Sequence, residues 1–112
     1  MTLPNSHCAT VAREKIVDYL LNARHIRGKS KATFFGMFGF SVASWAVLQE
    51  SLITQGRSNP LVEAMQTEYG PRYTVKCNCP SPDGRNPCIF TVWQIDAGSA
   101  CPRLLTAVPA AR

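Results

Sequence analysis

Apolar residues recur with a helical period in the first half of the chain and with a strand period in the second. Val11, Ile16, Val17, Leu20 and Leu21 fall near a 3.6-residue spacing, with Arg13, Glu14, Lys15 and Asp18 between them. That arrangement predicts an amphipathic helix that stops near Asn22 or Ala23. A polar run follows, Arg24-His25-Ile26-Arg27-Gly28-Lys29. Ser30 is placed to cap a short second helix through Phe34, Phe35 and Phe38, which Gly39 ends. Ser41 then caps a third helix carrying Val42, Trp45, Ala46, Leu48, Leu52 and Ile53, with Gly56 as its stop signal. Asn59-Pro60 closes the helical half, because a residue before proline avoids helical geometry.

After Pro60 the period falls to two. Leu61 to Tyr69 alternates loosely up to the turn pair Gly70-Pro71. Arg72 to Cys79 sets Tyr73, Val75 and Cys77 against Arg72, Thr74 and Lys76 on the opposite face. Pro80 to Pro87 has the composition of a hairpin loop, with Asp83-Gly84 supplying positive φ. Cys88 to Asp96 is apolar on both sides, as a central strand should be. Ala97 to Pro102 turns, and Arg103 to Val108 forms the last strand. The expected fold is therefore α+β: N-terminal helices packed on one face of a four-stranded antiparallel sheet. One domain over residues 1–112 is expected, with flexible ends at 1–9 and 109–112.

Composition narrows the function classes. At 46% hydrophobic and 17% charged, the chain is too apolar for a disordered protein. Its net charge of +5 favours an anionic partner, either nucleic acid or an acidic protein. The first residues show no signal peptide, and glycines and serines interrupt the longest apolar stretch, so no membrane-spanning helix is expected. Five cysteines are an odd number for a full disulfide framework, which makes a reducing cytoplasm the expected setting. Cys77, Cys79, Cys88 and Cys101 could supply four thiolates to zinc, but their spacing is not that of paired C-x-x-C knuckles. The sequence has no dinucleotide fingerprint, Walker loop or H-E-x-x-H motif, so neither cofactor nor metal is expected.

Candidate chemistry gathers around Arg24, His25, Arg27, Lys29 and Lys31, which lead into a helix N-terminus. Lys and Arg neutralise phosphate, and His transfers protons near neutral pH. The same residues also read as a solvated connecting loop. Arg103, Thr91, Tyr73 and Thr106 form a second group spread over three strands. Thr91 is a hydroxyl on an apolar face and needs a hydrogen-bond partner. Thr, Tyr and Arg are equally ordinary strand residues. Strand register ranks His25 and Lys31 above Arg103, and Arg103 above Thr91, because the last two lie about 13 Å apart along the sheet.

The segments Tyr19-Leu20-Leu21-Asn22-x-x-His25-x-x-Gly28-x-x-Lys31-Ala32-x-Phe34-Phe35, Tyr69-Gly70-x-x-Tyr73-x-Val75, Thr91-Val92-Trp93 and Pro102-Arg103-Leu104-x-Thr106-Ala107 together resemble a family of short bacterial proteins of unassigned activity. The resemblance runs from about Ile16 to Pro109. Ile26 and Val108 depart from the proline and tyrosine usual at those places. More broadly, the order of elements resembles the metal-independent ribonuclease toxins, which include colicin-type tRNases, RelE-like interferases and barnase-like enzymes. That resemblance implies RNA cleavage through a 2′,3′-cyclic phosphate and restraint by an acidic antitoxin or immunity protein. Here it makes His25 the general acid or base, Lys31 (less readily Lys29) the phosphate ligand and Arg103 the transition-state clamp. Thr91 or Tyr73 becomes an auxiliary hydroxyl, with Arg24, Arg27 and Lys29 contacting RNA. The alternative is a non-catalytic inhibitor or adaptor whose basic surface meets RNA or an acidic protein.

Overall fold

A computed structural model describes all residues 1–112. Its helices are α1 (Arg13–Lys15, continuing as a π-helical turn over Ile16–Leu20), α2 (Lys29–Met37) and α3 (Trp45–Ser58). Four strands follow: β1 (Leu61–Thr67), β2 (Gly70–Asn78), β3 (Cys88–Gln94) and β4 (Arg103–Pro109). They pair in the order β1-β2-β3-β4, each antiparallel to its neighbour. This is the α+β arrangement that the change of period predicts.

The helices cover one face of the sheet, with α3 over β2 and β3, and α1 and α2 against β4. Ile16, Leu20, Phe35, Leu48 and Leu52 close on Val75, Ile89, Trp93 and Leu104 to form the core. Alternation along the strands decides which side chains enter it. Ile89, Thr91 and Trp93 are buried, whereas Phe90 and Val92 on the other face are half-buried. No helix is long and apolar enough to cross a membrane.

Three boundaries differ from expectation, each for a local reason. Ser30 lies inside α2 rather than capping it: Gly28 occupies the cap position and no side chain bonds there. The third helix begins at Trp45 rather than near Val42, because Ser41 Oγ accepts the Ser44 N–H (3.3 Å) and holds a preceding turn. Gly56 does not stop that helix. A Cβ there would lie 2.7 Å from the Trp93 ring, so the glycine lets α3 settle on the sheet.

The ends of the chain are tied down more than the sequence suggests. Leu3 and Ala9 join the core, and the Met1 carbonyl accepts the Leu61 N–H at 2.9 Å. Cys8 and Cys101 form a disulfide, which removes Cys101 from the four candidate zinc thiolates. Beside it, Thr10 exchanges backbone bonds with Pro102 and Leu104 and covers the start of the β4 edge. At the other end, Arg112 donates to Asn78 Oδ1 and to the Asn86 carbonyl, each at 2.7 Å.

Candidate functional site

Between α1 and the exposed edge of β4 lies an open groove of about 550 Å³. It is lined by Ala12, Lys15, Tyr19, His25, Arg27 and Leu105, with the carboxylates of Glu14 and Asp18 alongside. The π-helical turn shapes its floor. The Leu21 N–H reaches back to the Ile16 carbonyl (2.8 Å), and the widened turn buries Ile16, Leu20 and Leu21 together. Tyr19, on the same turn, is left half-exposed at the groove. Widened turns of this kind recur at functional sites.

Tyr19 is the centre of the cluster. The His25 ring stands edge-on to it at 5.1 Å between centroids. The ammonium groups of Lys15 and Lys31 lie 5.5 and 5.4 Å from the centre of the same ring. Its hydroxyl bonds Thr106 Oγ1 of β4 at 3.1 Å. Burial works to raise the phenol's pKa, but the Thr106 bond and the charges of Lys31 and Lys15 outweigh it. The net effect holds Tyr19 below its ordinary value.

His25 is fixed by its own loop. Its Nδ1 accepts the backbone N–H of Arg27 and of Gly28, each at 3.0 Å. With that lone pair engaged, the neutral ring carries its hydrogen on Nε2, which is thereby a donor. Gly28 permits the arrangement: a Cβ there would sit 2.1 Å from the Tyr19 carbonyl oxygen. Lys31, in the first turn of α2, returns to the Arg27 carbonyl at 3.2 Å. The chain's two ion pairs, Arg85–Asp83 and Arg103–Asp96, lie elsewhere, so Lys15, Arg24, Arg27, Lys29 and Lys31 form no direct ion pair, although Glu14 and Asp18 line the same groove. This is an arrangement able to hold an anion beside a hydroxyl and an imidazole.

Of the second sequence-based group only Thr106 reaches the cluster, through its bond to Tyr19, whereas Thr91, Arg103 and Tyr73 stand apart from it. Thr91 is fully buried, donating to Gln55 Oε1 (2.6 Å) and accepting from Trp93 Nε1 (2.8 Å). Gln55 in turn donates to the Ile89 carbonyl at 3.1 Å, so the hydroxyl belongs to a core network. Arg103 turns to Asp96, with Nε 2.6 Å from Oδ2, and that carboxyl is held below the usual range by the guanidinium. Asp96 also accepts from Gln94, which accepts from Arg72, forming a polar row at one end of the sheet. Tyr73 pairs with Trp93 and Ala64 on β2, two strands or about 10 Å from β4. Arg24 and Lys29 are exposed on the loop.

Tyr19 and Lys15, at the heart of the cluster, are groove residues that periodicity does not mark for chemistry. Tyr19 enters the family resemblance only as part of its motif, and Lys15 falls among the polar positions of the first helix. The two stand four residues apart on one side of the helix, a spacing that solvent-exposed residues share. Among the cysteines, no three metal-ligating side chains gather, and burial pushes the Cys79 thiol up to about 12.

A search of curated proteins finds no match. Among solved structures, a chain of a contact-dependent growth inhibition toxin–immunity protein complex from Klebsiella pneumoniae 342 superposes with a TM-score of 0.73. At 19% identity, with 96% of this chain and 98% of that one covered, the likeness is one of fold. Residues 2–111 match the family described as Domain of unknown function (DUF6883), and to that family the chain belongs.

Proposed function

We propose that this chain is a toxin-type ribonuclease that uses the groove between α1 and β4 to cleave RNA without a metal ion. The observation that carries the reading is the convergence of His25, Lys15 and Lys31 on the Tyr19 ring, with neither lysine held in an ion pair. A phosphodiester attacked by its own 2′-hydroxyl places a doubly charged phosphorane in such a site. Lys15, Lys31 and Arg27 neutralise it, and His25 Nε2–H donates to a non-bridging oxygen. The net charge of +5 draws the polyanion in and also suits an acidic restraining protein. The neighbour of similar fold comes from a toxin–immunity complex, which agrees with a life in such a pair.

The non-catalytic alternative explains the charge but assigns no task to an imidazole locked as an Nε2–H donor. Induction in bacteria separates the two. Wild type is expected to arrest growth and fragment cellular RNA, whereas His25→Ala, folded to the same melting temperature, permits growth. Equal growth of wild type, variant and empty vector would overturn the ribonuclease reading. RNA binding retained by both proteins without cleavage would establish the binding module.

A further inference from the structure

We infer that Tyr19, and not His25, is the group that takes the proton from the attacking 2′-hydroxyl. The inference rests on the ribonuclease reading above and adds a catalytic residue to it. His25 is barred from that task by its own hydrogen bonds. Its Nδ1 lone pair is held by the Arg27 and Gly28 N–H groups, which leaves Nε2 with a hydrogen and no lone pair to accept another. Tyr19 supplies the missing acceptor within the same groove.

Its surroundings suit the anionic form. From its own helix, Lys15 approaches the ring while Glu14 and Asp18 line the groove beside it. From the loop and α2 come His25, Arg27 and Lys31. From β4 comes Thr106, whose hydroxyl either donates or accepts at 3.1 Å. Once Tyr19 is ionised, Thr106 must be the donor and fixes the phenolate oxygen in place. The four basic groups oppose two carboxylates, and the net result is the depressed pKa noted above.

The Tyr19 phenolate oxygen removes the 2′-hydroxyl hydrogen as the 2′-oxygen forms its bond to phosphorus. The bond from phosphorus to the 5′-oxygen breaks, and that oxygen takes a proton from the Lys31 ammonium. The products are a 2′,3′-cyclic phosphate and a 5′-hydroxyl end. Water then returns Tyr19 and Lys31 to their starting forms.

Tyr19→Phe keeps the ring that packs against His25 and removes only the oxygen. Two readouts test it. The first is tyrosinate absorbance against pH, wild type minus Tyr19→Phe, which isolates this phenol from Tyr69 and Tyr73. It is expected to titrate below the ordinary value near 10 and to move upward in Lys31→Met and Thr106→Val. The second is the pH profile of RNA cleavage. Loss of the oxygen should lower kcat by about 100-fold or more and abolish the rise in rate that follows Tyr19 ionisation. A His25→Ala variant, by contrast, should lose rate but keep that rise. Wild type that cleaves RNA while Tyr19→Phe keeps its rate and profile would overturn the inference and leave the ribonuclease reading standing. A Tyr19 midpoint at or above the ordinary value would overturn it as well. Wild type that cleaves no RNA would overturn both.

Discussion

Thr91 shows how a polar side chain acquires an architectural task. Its hydroxyl joins the Trp93 indole to the Gln55 amide, and Gln55 passes the network on to a strand carbonyl, all out of contact with water. In Thr91→Val the shape survives, but the indole N–H and the amide oxygen lose their partners. Each unsatisfied buried group costs about 1–3 kcal/mol, so a loss of about 3 kcal/mol is expected. Denaturant unfolding measures it. RNA cleavage by the folded fraction should be unchanged, and a loss of cleavage without a loss of stability would make Thr91 a site residue. The sequence did reveal that this hydroxyl needed a partner. The partner, Gln55, lies 36 residues away on a helix, and nothing in the spacing along the chain connects the two.

At the scale of elements, alternation made the strands and their order readable. Helix boundaries were harder, because caps depend on contacts across the fold. Gly56 looked like a stop signal, yet its missing side chain admits Trp93. The cluster of His25 and Lys31 was visible because the loop is short and local. Tyr19 was hidden by the π-helical turn, which shifts side chains off the 3.6-residue period. The terminal segment gives a further expectation. The Cys8–Cys101 disulfide closes a loop with a sequence separation of 93 and anchors the strand-like stretch at Thr10 beside Arg103. Replacing both cysteines with serine should lower stability by about 2–4 kcal/mol, mainly by freeing the unfolded chain. Thermal melts should show that difference between wild type and the double variant without reductant. Identical melts would mean that the bond contributes nothing to stability.

The whole molecule sets a groove on the rim of a packed α+β scaffold. Leu104 and Ala107 fix β4 in the core, the N-terminal segment covers the start of its edge, and the rest of that side is open beside Tyr19. A folded layer beneath a groove built on a widened turn and a loop is a common division of labour between stability and function. The most direct measurement is the chemistry of the ends produced when purified protein meets RNA in the presence of a chelator. The account predicts 2′,3′-cyclic phosphate and 5′-hydroxyl ends, formed by wild type and reduced about 100-fold or more by His25→Ala. Intact RNA with wild type, cleavage that stops in chelator, or 5′-phosphate ends would contradict it.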